Sequence, residues 1–153
     1  MQKLRSEMRK KKIRGLLIRW PYVEMIASGT KKWELRKSNT RIRGPIALVS
    51  RGYLYGFAEL SDSFRMSVAK LKGFEKLHRA GDFLEDYARG RDTLYVWVFK
   101  RPIKLPEPVK ISYPKGSQMW IALDEEKILN VLKSRGYIKE LKKLRKALDR
   151  RKD

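Results

Sequence analysis

The segment GTKKWELRK, residues 29–37, places lysine, glutamate and arginine at short intervals around two apolar side chains. If this segment is a β-strand, Trp33 and Leu35 lie on one face and can pack on a core. Glu34 and Arg36 then lie on the opposite face, because side chains alternate along a strand. The charged face is either a solvated surface with an ordinary ion pair or the lining of a site. The function predicted for the chain depends on which of these two alternatives is correct.

The chain carries a large excess of positive charge. Its 153 residues contain 38 lysines and arginines against 17 aspartates and glutamates, a formal net charge of +21. Such an excess opposes compaction by self-repulsion, so we expect a polyanionic partner, with nucleic acid favoured over an anionic membrane surface. A thermophile-like composition is the alternative, but it normally adds glutamate along with lysine, and acids are few here.

The composition indicates a single folded domain, because 153 residues with 42% hydrophobic content suffice for one core. No apolar run approaches the roughly 20 residues of a membrane span, and no signal-peptide hydrophobic segment follows the basic N-terminus. A cytoplasmic protein is therefore expected. There is no cysteine, and His78 is the only histidine. Disulfides, thiolate or histidine metal sites and a Ser-His-Asp triad therefore have little support, and no cofactor is expected.

Turn residues and apolar periodicity predict five or six strands with short helices. A first strand over residues 13–18 leads into a helix that starts at Pro21 and ends at Gly29, and the charged strand follows. Broken helices are predicted over residues 68–90. The other predicted strands are residues 46–50, a longer strand from 53, residues 93–100 with an extended proline-rich connection after them, and residues 118–123.

Both ends of the chain are predicted to be basic appendages of a central domain at residues 15–123. Residues 1–14 form a basic arm, and residues 124–153 form a basic extension of two helices. If the leucine stripe of the last helix packs on the domain, cations such as Lys142 and Arg145 face outward toward phosphates. About six such contacts would give a salt slope near −5. Solvated ends, a membrane-surface helix and a helix that recruits a protein partner are the alternatives.

The spacing of Lys31, Glu34 and Arg36 suits several chemical roles. Lys31 could hold a phosphate or, if desolvated, act as a base. Glu34 could accept a base amino group, activate a water or fix Arg36 by a paired contact. Arg36 could bind a phosphate or a base edge. A solvated ion pair, worth well under about 1 kcal/mol, is the competing interpretation.

Taken together, these features resemble the ASCH (activating-signal-cointegrator homology) domain of the PUA-like superfamily. The resemblance runs from about Leu16 to Leu123. It rests on the helix begun by Pro21, the motif GxKxxExR, a turn containing Gly44, the strand IALVS and a late aromatic strand. The motif is met at Gly29, Lys31, Glu34 and Arg36, and the late segment contributes Trp97, Phe99, Pro102 and Trp120.

The resemblance implies a small, mixed, β-barrel-like PUA fold of the α+β class, with a cleft beside the signature strand. It also implies a role in RNA metabolism, translation or coactivator complexes, with Lys31, Glu34 and Arg36 lining the cleft. One branch of the family hydrolyses N-acetylated cytidine nucleosides. Its motif keeps the lysine and the arginine but has threonine where this chain has Glu34, so that chemistry does not transfer directly.

Aromatic residues interleaved with basic ones form a second candidate surface. Exposed aromatics beside a basic groove stack nucleic-acid bases, at about 1–3 kcal/mol per base. The alternative is that these rings belong to the core of a small β-fold. The candidates for base or phosphate contact are Arg19, Trp20, Arg51, Tyr53 and Tyr55.

The sequence therefore predicts an RNA-binding ASCH/PUA-like protein that holds a nucleotide or RNA end in the signature cleft. RNA, single-stranded or structured, is the expected partner, while DNA and a protein bound through the C-terminal helix stay open. The alternative is an amidohydrolase or nuclease acting on a modified nucleoside or RNA. In that case Lys31 is nucleophile or base, Glu34 positions water and Arg36 stabilises the oxyanion.

Overall fold

The computed structural model describes residues 11–151, so most of the predicted basic arm, residues 1–10, lies outside the described residues. Six strands form one mixed sheet. Their bounds are β1 Lys12–Leu17, β2 Trp33–Arg36, β3 Gly44–Ser50, β4 Tyr53–Ser67, β5 Thr93–Lys110 and β6 Trp120–Asp124.

The sheet has the strand order β2-β5-β4-β3-β1-β6. β1 and β3 are parallel, while the other neighbours are antiparallel. Within the described residues the two edge strands, β2 and β6, do not pair with each other, so the sheet is not closed. The predicted α+β class is confirmed, and the word barrel describes the curved sheet only loosely.

The helices are short except at the C-terminus, and the predicted break-up of residues 68–90 is confirmed. A 3₁₀ turn, Lys72–Phe74, interrupts that region. None of the helices in residues 11–151 is long and apolar enough to cross a bilayer. The helices are α1 Tyr22–Ser28, α2 Val68–Leu71, α3 Glu75–His78, α4 Phe83–Ala88, α5 Glu125–Ser134 and α6 Ile138–Arg150.

The proline-rich stretch after residue 100 is part of β5, where an extended, edge-like connection was predicted. β4 and β5 stay paired to Lys110, but β5 has one extra residue where Arg101 and Pro102 face Ala58. This is a β-bulge, which accepts a proline because the bulged residue donates no ladder hydrogen bond. Arg101 has φ 49° there, a left-handed conformation that non-glycine residues seldom adopt.

Both faces of the sheet are buried. On one face, helix α1 covers a cluster that includes Leu16 and Trp97. Val96, next to Trp97 along β5, faces the other way and packs in a separate cluster with buried residues of α2 and α4. On the other face, Ile13 and Phe57 lie in a cluster with buried residues of α5 and α6. Alternate side chains of β1 and β3 therefore face different cores, as strand geometry requires.

The two C-terminal helices pack directly on the sheet, so their apolar residues belong to its core. Leu144 is fully buried within the cluster that contains Phe57. Arg151 forms an ion pair with Glu125 at the start of α5 and donates to the Lys12 carbonyl at 3.3 Å. The domain boundary at residue 124 stays a prediction, but cutting the chain there would uncover this core.

We expect Leu144→Ala to lower the free energy of unfolding by about 2–5 kcal/mol, because it removes a fully buried side chain and leaves a cavity. Urea denaturation monitored by circular dichroism measures the change. Lys142→Ala, at an exposed position of the same helix, is the control and should change stability by less than about 0.5 kcal/mol. Equal effects of the two substitutions would show that α6 contributes no core packing.

Candidate functional site

The turn before β2 explains why the GxKxxExR motif begins with glycine. Gly29 ends helix α1 in a left-handed conformation, φ 85°, and its N–H donates to the Ile26 carbonyl. A residue with a Cβ would be strained there, which is why helices commonly end on glycine. The Lys31 N–H then donates to the Met25 carbonyl at 3.0 Å, which directs the chain into the edge strand.

Glu34 lies between two cations and is buried, with 8% of its surface exposed. Arg36 donates from Nε and Nη2 to the same carboxylate oxygen, Oε2, at 3.0 and 2.7 Å. Nη2 also donates to the Leu17 carbonyl at 3.0 Å. The Lys31 Nζ lies 3.6 Å from the other oxygen, Oε1. The charged face of β2 is therefore a buried network, so the solvated-surface interpretation does not hold.

Lys31 is more deeply buried than the sequence suggested, with 3% exposure. Its Nζ donates to the backbone carbonyl of His78. Burial lowers the pKa of the Lys31 ammonium, and the neighbouring Glu34 carboxylate opposes that shift. Desolvation dominates because little water reaches the charge.

His78 supports the site through its backbone. Its side chain is fully buried, with Nδ1 accepting from the Ala80 N–H at 3.0 Å. Nε2 then carries the proton and donates to the Leu71 carbonyl at 2.7 Å. Because the ring is held at both nitrogens, the carbonyl that binds Lys31 is fixed in place.

The buried network opens into a cleft of about 270 Å³ between β2 and helix α4. Three aromatic rings form its wall: Tyr22 stacks on Phe83 with ring centroids 6.3 Å apart, and Phe83 lies 5.9 Å from Tyr87. The cleft is lined by Leu17, Arg19, Tyr22, Lys31, Glu34, Leu35, Arg36, Ala80, Phe83, Leu84 and Tyr87.

Cations lie over aromatic rings around the cleft. The Arg19 guanidinium lies 5.4 Å from the Phe83 ring centroid, and the Lys31 Nζ lies 5.1 Å from that of Tyr22. Arg36 lies 5.5 Å from the Trp97 ring. Such contacts are worth about 0.5–2 kcal/mol each and help to hold these side chains in place. The cleft therefore presents cationic and aromatic surface together.

Two polar groups in the cleft retain capacity for a ligand. Within residues 11–151 the Arg36 hydrogen bonds use Nε and Nη2 only, which leaves the two Nη1–H donors. Glu34 Oε1 accepts no hydrogen bond in that part of the chain, since Lys31 is 3.6 Å away. A donor and an acceptor thus lie on one wall. No cluster of acidic or histidine side chains suited to a metal ion occurs in the described residues.

The structure brings together only some of the residues predicted to bind nucleic acid. Arg19 joins Lys31, Glu34 and Arg36 in the cleft. Trp20 is next to Arg19 but points outward, 52% exposed, and donates to Glu24.

The remaining predicted residues lie on other surfaces. Arg51 and Tyr53 are exposed at the β3–β4 turn, and Tyr55 packs against the core. Lys142 and Arg145 are exposed on helix α6.

Sequence reasoning missed the aromatic wall. The sequence predicts Tyr22 only as part of the first helix, and Phe83 and Tyr87 only as part of the broken helices of residues 68–90. The available signal was the spacing of Phe83 and Tyr87, four residues apart on one helix face. Nothing local indicates that this face meets β2, because the contact joins segments about fifty residues apart in the chain.

Comparisons with known proteins agree with this geometry. Residues 16–131 match the family model of the ASCH domain. The crystal structure of the ASCH protein from Zymomonas mobilis superposes with a TM-score of 0.64 at 15% identity, covering 80% of this chain and 94% of that one. A serine-to-alanine mutant of that protein gives 0.64 at 15% identity, covering 81% and 96%. At this identity the likeness concerns the fold alone. No curated protein sequence matches significantly.

The lowered pKa of Lys31 predicts a pH-dependent stability that Lys31→Met removes. Between the folded pKa and the unfolded value of 10.5, the unfolded chain binds more protons, so raising the pH favours the fold. As the pH is raised toward 10.5, wild type should gain stability relative to Lys31→Met, by at most about 1.4 kcal/mol per pH unit. Chemical denaturation at each pH measures this.

The matched control for that experiment is Lys32→Met, which removes the exposed neighbouring lysine. It should keep the wild-type pH profile. A stability difference between wild type and Lys31→Met that is constant with pH, or that falls as the pH rises, would contradict the prediction.

Proposed function

The chain belongs to the ASCH domain family, and on that premise we propose that it binds RNA, holding one nucleotide in the cleft beside β2. The observation that carries the proposal is the buried Lys31–Glu34–Arg36 network facing an aromatic wall. Buried charges that retain hydrogen-bonding capacity are costly for stability alone, and they concentrate at functional sites.

The cleft suits a nucleotide in its chemistry. A base edge offers N–H donors and carbonyl acceptors side by side, which match Glu34 Oε1 and the Arg36 Nη1 donors. The ring pair Tyr22–Phe83 supplies a surface on which a base can stack. Arg19, exposed at the rim, is positioned for a phosphate.

The size and charge of the protein support the same class of ligand. A cleft of about 270 Å³ is just below the usual volume of ligand pockets, about 300–1,000 Å³, and so favours one nucleotide over a larger molecule. The net charge of +21 adds attraction for a polymer, with Lys142 and Arg145 on α6 as proposed phosphate contacts.

The lowered pKa of Lys31 supports a second candidate, an amidohydrolase acting on an acylated nucleoside. A neutral Lys31 amine would take a proton from water as the hydroxide adds to the acyl carbon. Arg36 would stabilise the oxyanion, and Lys31 would return the proton to the departing amine. A nuclease would need the same groups to act on a phosphodiester.

Binding is the preferred proposal because of how Lys31 is held. Its Nζ donates to the His78 carbonyl and faces the Glu34 carboxylate, and both partners favour the ammonium form over a free amine. The family's amidohydrolase branch also has threonine at the position of Glu34. Binding needs only charge and shape, whereas catalysis needs a neutral, correctly placed amine.

We expect Arg36→Gln to raise the Kd for a short fluorescent single-stranded RNA about tenfold or more, because it removes charge-assisted hydrogen bonds. Arg19→Gln, at the exposed rim, should raise the Kd several-fold while leaving the fold intact. Fluorescence anisotropy across a salt series measures both variants, and thermal unfolding checks that they are folded.

Arg41→Gln is the matched control, since Arg41 is exposed and lies outside the cleft lining. It removes the same charge and should change the Kd by less than about twofold. Absence of RNA binding by wild type at moderate salt would overturn the proposal. So would equal losses in Arg41→Gln and Arg19→Gln, because the attraction would then be non-specific.

The hydrolase candidate predicts release of free acid from an acylated cytidine by the wild-type protein. Lys31→Met should abolish that release, and Arg36→Gln should lower kcat by about 10²-fold or more through loss of oxyanion stabilisation. Liquid chromatography of the nucleoside measures both. Turnover that persists in Lys31→Met would exclude Lys31 as the base.

A further inference from the structure

A second candidate surface is the groove between helix α6 and the bulge in β5. The groove measures about 270 Å³ and lies on a different part of the protein from the cleft. Its floor is apolar and its rim is cationic. It is lined by Pro45, Phe57, Ala58, Glu59, Arg101, Pro102, Ile103, Lys143, Lys146, Ala147 and Arg150.

We infer that this groove binds the sugar-phosphate backbone of single-stranded RNA through Arg101, Lys143, Lys146 and Arg150. The inference rests on the proposed function, to which it adds the path of the polymer outside the cleft. All four side chains belong to exposed residues. Within residues 11–151, no ion pair involves Lys143, Lys146 or Arg150.

The helix cations are spaced for a nucleic-acid strand. Lys143, Lys146 and Arg150 follow one stripe of α6 and span seven residues, about 10.5 Å at 1.5 Å per residue. At the spacing of one strand of duplex DNA, about 3.4 Å of axis per phosphate, this length corresponds to about three phosphates. Pro102 and Ala147 expose apolar surface in the groove, which suits sugars and unstacked bases better than a fully solvated duplex backbone.

Arg101 is an independent indication that the groove is functional. It occupies a left-handed conformation inside a bulge, a position where glycine would be free of strain. Strained residues and bulges of this kind collect at binding sites, where they re-aim a side chain. Its bond to Glu59 is long, 3.4 Å, and exposed, so a phosphate can replace that carboxylate.

A cationic path connects the groove with the signature residues. The groove shares Arg101 and Pro102 with a cavity of about 440 Å³, which also contains Lys32 and Lys100. Lys31 lies between that cavity and the cleft and lines both. A strand with one nucleotide in the cleft can therefore continue past Lys32 and Arg101 to α6.

The test compares two double variants of the C-terminal helices. Lys143→Gln/Lys146→Gln removes two groove charges, and Lys133→Gln/Arg135→Gln removes two exposed charges around the end of α5, outside the groove lining. The groove variant should raise the Kd for single-stranded RNA about tenfold. Its salt slope should be shallower by about 1.4, for two lost contacts at about 0.7 each. The control should stay within about twofold of wild type.

Arg101→Gly separates binding from folding. It removes a groove cation while placing glycine in the left-handed position, so the Kd should rise about threefold or more while Tm is unchanged or higher. A Kd equal to wild type, with the fold retained, would overturn the role of Arg101.

The outcomes distinguish the groove from the cleft. Equal weakening by both double variants, or binding of duplex RNA as tight as single-stranded RNA, would overturn the groove inference. Preference of wild type for phosphatidylserine vesicles over RNA would do the same. If the groove variants weaken RNA binding while Arg36→Gln does not and a mononucleotide fails to bind, the groove stands and the cleft proposal fails.

Discussion

The geometry of the site depends on the ion pairs made by the buried carboxylate of Glu34. Arg36 binds one of its oxygens and also the Leu17 carbonyl at the end of β1, while Lys31 connects its other side to the His78 carbonyl. Parts of the chain distant in sequence thus meet at one acid. Because an unpaired buried charge is costly, these partners hold the edge strand β2 in one position.

The two long strands supply the frame that makes this possible. β4 and β5 stay paired despite three register shifts, and at Gly56 they approach so closely that a Cβ would lie 2.1 Å from the Ile103 carbonyl oxygen. Bulges of this kind bend and twist a sheet. The curvature allows α1 to cover one face, while α2 and α4 at one end and α5 and α6 at the other cover the opposite face.

The protein therefore combines a rigid, buried network of charges with a loosely paired cationic surface. The Lys31, Glu34 and Arg36 side chains are held by bonds to the backbone and to each other, which preorganises them for one ligand geometry. Exposed lysines such as Lys143 keep their rotamer freedom and contribute mainly long-range attraction. A polymer that inserts one residue and lays its backbone on the surface uses both properties.

The sequence by itself determined the elements and the motif strand, because these depend on local patterns. The patterns are the alternation of apolar and charged side chains in β2 and the residues at the two ends of α1, Pro21 and Gly29. It also determined the excess of positive charge. Only the tertiary structure decided that Phe83 faces Glu34 across a cleft, and that Lys143 rather than Lys142 lines the groove. The physical reason is that periodicity specifies which side of an element is buried, whereas long-range packing specifies what it is buried against.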